Sequence, residues 1–270
     1  MTALITEPGI YEVPEDAYHA DTELAPALGR SLSVSGAKTI LQSPARFAYE
    51  REHGRANKPA FDFGHAAHKL ILGKGAELVE VEADDWRTKA AKDARDAAYA
   101  EGLVPLLTAD ALRAQALADA VTGHPLASAI LSTGEAEKSL YWVDAPTGVT
   151  CRGRVDWLRD NAIVDVKTTM DASPEAFAKS CANYDYDMQA DFYTAGVHAL
   201  TGSLLPFIFI AVEKEPPHLI GVYQLDDDAL DRGSRRNRLA LGLYAECESS
   251  GVWPGYSPDI EVLSLPRWAL

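Results

Sequence analysis

Hydrophobic and polar residues follow two different patterns along the chain, and the change lies near residue 132. Before this point, Ala-rich segments such as WRTKAAKDARDAAYAEG and TADALRAQALADAVTG end in glycine, which predicts helices. After it, short runs rich in β-branched and aromatic residues are separated by turn signals, which predicts strands. We therefore expect one domain over residues 1–270, with a helical elaboration at about residues 30–132 and a sheet core at about residues 136–248.

The expected elements combine helices with a set of strands. In the N-terminal part, a helix capped by Ser33 or Ser35 runs to about His53, FDFGHAAHKLIL forms a helix ending at Gly73, ELVEV forms a strand, and two or three helices cover residues 84–131. In the core, the strands SLYWVD, VTCRGRVDWL and AIVDVKTT precede helices at about residues 174–181 and 187–200. The strands LPFIFIAVE and HLIGVYQL and a helix at about residues 226–248 follow. This order predicts an α/β or α+β fold with a mixed central sheet flanked by helices.

Composition indicates a globular protein. With 270 residues, of which 47% are hydrophobic, the chain can bury a sizeable core. The start, MTALITEPGIYEVPED, lacks the basic and apolar parts of a signal peptide, and the longest apolar stretch, at residues 204–212, is interrupted by Pro206. The three scattered cysteines fit neither a disulfide framework nor an iron–sulfur cluster. We expect a cytoplasmic protein without a membrane partner.

The charge balance bears on nucleic acids as partners. A net charge of −15 argues against a protein that coats DNA, because such binding depends on Lys and Arg neutralising phosphates. Carboxylates that hold a divalent metal nevertheless become cationic sites once they are loaded. A local excess of basic residues that begins at Lys38 is a candidate DNA-binding patch, and a solvated helix face explains it equally well. The candidate DNA-binding residues are Arg46, Arg51, Arg55 and Lys58.

Two of the predicted strands carry a distinctive set of charged residues. VTCRGRVDWL and AIVDVKTT meet at Asp160 and Asn161, residue types that tolerate the backbone of a tight hairpin turn. A two-residue turn there places Asp156 opposite Asp165 and Arg154 opposite Lys167 on one face. The other face is apolar and holds Val155, Trp157, Val164 and Val166.

Two like charges that face each other destabilise a sheet unless a cation lies between them. A divalent metal supplies that cation, and carboxylate oxygens suit Mg²⁺ or Mn²⁺. Lys167 projects from the same side of its strand as Asp165, toward the same point. The alternative is that Lys167 or Arg154 merely forms a salt bridge with the pair.

The run RGRVDWLRDNAIVDVKTT resembles the core of the PD-(D/E)xK nuclease superfamily, and the chain over about residues 30–215 resembles its RecE-like exodeoxyribonucleases. Asp156 stands at the first acid of the motif, after a valine in place of the proline. Asp165, Val166 and Lys167 stand at its (D/E)xK element. The resemblance therefore implies a mixed sheet flanked by helices and a metal-dependent phosphodiester hydrolase.

Three further motifs occur in the family's order. GHAAH resembles Gly-x-x-x-His and implies His68 as a metal ligand, with His65 as the rival. EKSLYW resembles a strand entry that assigns the acid to Glu137 rather than Glu135. MQADFYTAG resembles Gln-x-x-x-Tyr and implies that Gln189 and Tyr193 face the site. The alternatives are a core histidine, an exposed glutamate, and a surface glutamine beside a core tyrosine.

The resemblance implies a Mg²⁺- or Mn²⁺-dependent exodeoxyribonuclease that resects linear double-stranded DNA ends for homologous recombination and leaves 5′-phosphates. The metal ligands would be His68, Asp156, Asp165 and the carbonyl of Val166, with Glu137 near a second metal, while Lys167 would orient or deprotonate the attacking water. The alternatives are a structure-specific or restriction-type endonuclease on the same fold and a catalytically inactive protein that binds DNA ends.

The resemblance also implies partners. RecE-like enzymes form ring-shaped homo-oligomers, for which four copies are expected, and act with a single-strand annealing protein. One arginine-rich stretch is a candidate for a subunit contact or for DNA, with a solvated helix face as the alternative. Its residues are Arg232, Arg235, Arg236 and Arg238.

Overall fold

The computed structural model describes residues 4–14, 17–18, 25–54 and 62–267. Arg55 and Lys58, which belong to the predicted basic patch, lie outside these described residues.

A mixed sheet forms the centre of the molecule. Its strand order is β1-β5-β6-β7-β8-β9, and β2 pairs with β6 beside this path. The pairs β7–β8 and β2–β6 are parallel, and the other pairs of this sheet are antiparallel. A separate parallel pair, β3–β4, lies in the helical part. The strands are β1 Gly9–Glu12, β2 Leu32–Ser33, β3 Leu78–Val81, β4 Val104–Leu107, β5 Glu135–Val143, β6 Thr150–Arg159, β7 Ala162–Thr169, β8 Phe207–Glu213 and β9 Ile220–Tyr223.

Helices cover both faces of this sheet, as the mixed α/β prediction requires. One apolar cluster joins one sheet face to α1, α2 and α7–α9, and a second joins the opposite face to α3, α5 and α6. No helix within the described residues is long and apolar enough to cross a membrane. The helices are α1 Val34–Gln42, α2 Pro44–His53, α3 Asp62–Leu72, α4 Lys89–Ala100, α5 Thr108–Gly123, α6 Pro125–Leu131, α7 Pro174–Asn183, α8 Tyr186–Thr201 and α9 Asp227–Ser250.

Two local expectations for the helical part are wrong. The helix expected to run from Ser33 to His53 is divided into α1 and α2, because Ser43 leaves helical geometry, caps α2 by accepting the Arg46 N–H at 3.3 Å, and precedes Pro44. The strand β4, VPLL, lies within residues 84–131, where two or three helices and no strand were expected. It forms because β3 lies beside it in parallel register.

The predicted hairpin at Asp160 and Asn161 is confirmed, but its two strands soon separate. The pairs Arg159–Ala162, Leu158–Ile163 and Trp157–Val164 form as expected, and the pairing of β6 with β7 ends there. Beyond this fork, β6 pairs with β2 and β7 continues alongside β8. The expected pairings of Asp156 with Asp165 and of Arg154 with Lys167 are therefore wrong.

The fork coincides with a change of face along β5 and β6. Trp157 packs with Val164 and Val166, whereas Val155 packs in the apolar cluster on the opposite side of the sheet. The expectation that all four share a face is wrong for Val155. Its physical reason is the backbone of Glu137, which has φ 56° and interrupts the ladder between β5 and β6.

Close helix packing generates a prediction about Gly233. A Cβ at this position of α9 would lie 2.3 Å from the carbonyl oxygen of Asp187, which is a backbone contact that cannot relax by a rotamer change. We expect Gly233→Ala to push α8 and α9 apart and to lower the free energy of unfolding by about 1–3 kcal/mol. Urea denaturation measures this change.

The matched control is Gly242→Ala in the same helix, where an added Cβ meets nothing within 4 Å. Because alanine is the better helix former, this variant should gain about 0.5–1 kcal/mol. Equal shifts for the two variants would show that α8 and α9 are not closely packed.

Candidate metal centre

Asp156 lies at the fork between β6 and β7. Where the backbone pairing ends, its Oδ2 accepts the Val166 N–H at 2.8 Å, so a side chain continues the contact between the strands. Glu137 of β5 stands between the pairs Ala136–Trp157 and Lys138–Val155, which brings it beside Asp156. Carboxylates from neighbouring strands therefore converge on one point.

His68 reaches this point from α3. Its Nε2 lies 2.6 Å from the Val166 carbonyl oxygen, and its Nδ1 lies 3.5 Å from Asp156 Oδ2. His65, the rival on the same helix, is exposed. An added Cβ at Gly64 would meet Thr168 Oγ1 at 3.8 Å, which is ordinary contact, so packing alone does not require a glycine there.

His68, Glu137 and Asp156 form a group whose ligand atoms all lie within 4.8 Å of one another. Arg154 Nε also forms an ion pair with Glu137 Oε2. Glu137 has φ 56°, a backbone conformation that is strained for a residue with a side chain. Such strain persists where the surroundings hold the residue in place. Arg154 supplies part of that restraint.

Asp165 lies next to this group rather than inside it. Its side chain is 1% exposed, and Oδ1 accepts a hydrogen bond from Gln189 Nε2 at 2.7 Å. Oδ2 lies 2.7 Å from Lys167 Nζ but makes no hydrogen bond of regular geometry. Lys167 Nζ also lies 4.9 Å from the centre of the Tyr186 ring. The carboxylate is held firmly and keeps acceptor capacity.

Burial and neighbouring charge shift the pKa values of this centre. Burial, followed by the negative charge of Asp165, raises the pKa of Asp156 to about 7. Burial acts to lower the pKa of Lys167, but Asp165 and Asp156 outweigh it and raise that pKa to about 12. Lys167 is therefore an ammonium in the metal-free protein.

The donor set fits a divalent cation. Carboxylate oxygens and one imidazole are ligand types that Mg²⁺, Mn²⁺ and related ions accept. Burial and the charge of Asp165 raise the pKa of Asp156, so its carboxylate form is poorly stabilised in the metal-free protein, and Asp165 Oδ2 is a buried oxygen beside Lys167 Nζ without a hydrogen bond of regular geometry. A bound cation would correct both features.

Tyr193 is buried in the apolar core. It is 7% exposed, and an added Cβ at Gly153 would meet its ring at 2.8 Å. Burial, the largest cause, raises the pKa of this phenol well above its usual value. Gln189 touches Asp165, whereas Tyr193 supports β6 from within the core.

The predicted basic residues make contacts elsewhere. Arg46 donates to Gln42 and Tyr256, and Arg51 pairs with Glu248 while lying 4.5 Å from the Trp253 ring. Of the arginine-rich stretch on α9, Arg235 is exposed and the rest form ion pairs within the chain. Those partners are Asp185 and Asp187 for Arg232, Asp185 for Arg236, and Asp144 for Arg238.

Lys38 of α1 was not expected at the centre. Its Nζ donates to the Tyr184 carbonyl at 2.7 Å and lies 5.8 Å from the Tyr186 ring. Burial, aided by the positive charge of Lys167, lowers the pKa of Lys38 to about 8. No local sequence motif predicts that Lys38 lies at the centre, because α1 reaches the centre only through the tertiary fold.

A known structure shares this fold. A presumed exonuclease from Eubacterium rectale superposes with a TM-score of 0.64 at 15% identity, covering 95% of this chain and 96% of that one. An alkaline exonuclease from Laribacter hongkongensis, at 14% identity, covers 72% of this chain and 96% of its own, but its TM-score of 0.26 is too low to carry an argument. Among curated proteins, none gives a significant sequence match.

The family is shown by the sequence itself. Residues 33–266 match the family model described as "PDDEXK-like domain of unknown function (DUF3799)". This span contains the fork between β6 and β7 and the ligand atoms of the candidate centre. The chain belongs to this PDDEXK-like family.

Proposed function

We propose that the protein is a metal-dependent exodeoxyribonuclease that degrades linear double-stranded DNA from its ends and so resects them for homologous recombination. The observation that carries the proposal is the convergence of His68, Glu137 and Asp156 at the fork, with Asp165 and Lys167 beside them. The presumed exonuclease function of the Eubacterium rectale protein agrees with it.

The proposed cofactor is Mg²⁺ or Mn²⁺. Its ligands would be His68, Asp156, Asp165 and the carbonyl of Val166, with Glu137 available for a second ion. A bound divalent cation would stabilise the negative charge that develops on the phosphate during hydrolysis.

The chain's own residues would position the reacting groups. Gln189 fixes the Asp165 carboxylate through its 2.7 Å hydrogen bond. Lys167, which is held between Asp165 and Tyr186, would donate hydrogen bonds to the attacking water or to the phosphate. Its ammonium form favours this orienting role over proton abstraction. Hydrolysis would leave the phosphate on the 5′ side of the product.

The proposed assembly is a ring-shaped homo-oligomer, with four copies expected, that works with a single-strand annealing protein. The net charge of −15 supports an enclosed substrate, because an acidic surface repels DNA unless its basic residues are concentrated around the binding channel.

We expect the purified protein to degrade linear double-stranded DNA in Mg²⁺ or Mn²⁺, to be inactive in EDTA, and to leave covalently closed circles intact. The reason is that an exonuclease needs an end, whereas an endonuclease does not. Gel analysis of one plasmid, closed or linearised, measures this difference. Rapid cutting of closed circles would replace the proposal with an endonuclease on the same fold.

Asp156→Asn should stabilise the metal-free protein, because the amide oxygen can still accept the Val166 N–H while the poorly solvated charge is removed. The pKa of Asp156 is raised from 3.8 to about 7 in the folded state, so its proton stabilises the fold at low pH and this contribution is lost as pH rises toward 7. The gain in Tm should therefore grow between pH 4 and pH 8, at about 2–4 °C for each kcal/mol.

Thermal unfolding in EDTA across this pH range measures the effect. Asp160→Asn at the exposed hairpin turn is the control and should leave Tm unchanged. Asp156→Asn should at the same time weaken Mn²⁺ binding in calorimetry. A Tm at pH 8 equal to that of the wild type would contradict the electrostatic account.

Lys167→Ala separates metal binding from catalysis. Removal of a positive charge near the cation should leave Mg²⁺ affinity equal or higher, whereas loss of the orienting ammonium should lower the single-turnover rate roughly 10²- to 10⁴-fold. Asp165→Asn should instead weaken metal binding and activity together. Titration calorimetry and single-turnover cleavage measure these changes.

The control for this pair is Lys89→Ala, which removes an exposed lysine on α4. This variant should change neither the Mg²⁺ affinity nor the single-turnover rate. If Lys167→Ala cleaves DNA at the wild-type rate, Lys167 is only an ion-pair partner of Asp165.

A further inference from the structure

An exposed aromatic ring lies one stacking step from the candidate centre. Tyr184 is 63% exposed and stacks on Tyr186, with ring centres 5.7 Å apart and planes 29° apart. Tyr186 stacks in turn on the fully buried Phe209. Lys167 Nζ lies 4.9 Å from the centre of the Tyr186 ring. Tyr184 is therefore the outer member of a rigid stack that leads to Lys167.

Ion pairs hold the turn between the two tyrosines in place. Asp185, between them, has φ 53°, a left-handed conformation that aspartate tolerates and that separates α7 from α8. Arg232 and Arg236 of α9 hold its carboxylate at 3.2 Å and 3.0 Å. These ion pairs fix the backbone that joins Tyr184 to Tyr186.

Lys38 places a positive charge beside the same stack. Within the described residues, the one hydrogen bond that its Nζ donates goes to the Tyr184 carbonyl. An ammonium carries three N–H donors, so two remain for a ligand. The nearby Asp185 and Asp187 attract the Lys38 ammonium and also form ion pairs with Arg232 and Arg236.

We propose that Tyr184 and Lys38 bind an unpaired nucleotide of the DNA strand that enters the metal centre. The base stacks on the exposed face of Tyr184, and Lys38 donates to a phosphate of the same strand. Stacking requires a base with a free face, which bases inside a duplex lack, so the surface selects a frayed or single-stranded end. This inference rests on the proposed nuclease function and adds the form of DNA that it recognises.

The test uses fluorescence anisotropy of a fluorescein-labelled duplex with a single-stranded overhang, in Ca²⁺. Tyr184→Ala should weaken binding roughly 5- to 150-fold, the usual effect of losing one base–aromatic stack. Tyr184→Phe and Tyr184→Trp should retain wild-type affinity. Tyr49→Ala is the matched control, since Tyr49 is also 63% exposed and stacked, on His53 of α2.

A second probe isolates the base. An otherwise identical duplex with an abasic overhang should bind the wild type as weakly as the normal duplex binds Tyr184→Ala, and that variant should not distinguish the two probes. Lys38→Ala should weaken both probes equally and reduce the slope of log affinity against log salt by about 1. In steady state, Tyr184→Ala should raise KM and leave kcat unchanged.

The outcomes separate this inference from the proposed function. If the wild type cleaves DNA but Tyr184→Ala binds the overhang with wild-type affinity, or if the abasic probe binds the wild type normally, the stacking surface is wrong and the nuclease stands. If the wild type neither binds nor cleaves DNA, both fall together.

Discussion

The early separation of β6 from β7 is the constraint on which the candidate centre depends. Pairing stops after Trp157–Val164, so the N–H and the carbonyl of Val166 face a gap where a strand would otherwise satisfy them. A backbone group left unpaired there would cost free energy, and side chains fill the need. Asp156 accepts from the N–H, and His68 contacts the carbonyl. The fork thus brings a carboxylate and an imidazole together as part of satisfying the backbone.

The use of arginine bears on how so acidic a chain could bind the proposed DNA substrate. Arg51, Arg154, Arg232 and Arg236 are each paired with a carboxylate of the same chain, where their planar guanidinium groups suit carboxylate geometry. These pairs stabilise local structure and leave little diffuse positive field for attracting DNA. Positive charge near the centre comes instead from lysine and from any bound cation, so attraction to DNA would be local and directed at the site.

Features of the fold that depend on neighbouring residues could be predicted from the sequence. The turn at Asp160 and Asn161 and its register follow from residue type and alternation, and the match to the family's fold follows from motif order. The end of the pairing between β6 and β7 could not be predicted, because the separation of these strands depends on β2, which lies more than a hundred residues earlier in the chain. The positive φ of Glu137 and the position of Lys38 beside the centre could not be predicted either, because each is produced by tertiary contacts rather than by neighbours in sequence.

The position of α8 determines how well the centre is ordered, because this helix carries the Gln189 that holds Asp165. Glycines allow α8 to approach its neighbours closely: a Cβ at Gly153 would meet Tyr193 at 2.8 Å, and one at Gly196 would meet Trp142 at 2.9 Å. Together with the contact at Gly233, they fix the helix against the sheet on one side and α9 on the other. The geometry of the hydrogen bond from Gln189 to Asp165 therefore depends on packing contacts elsewhere along α8, and the buried Tyr193 takes part in that packing.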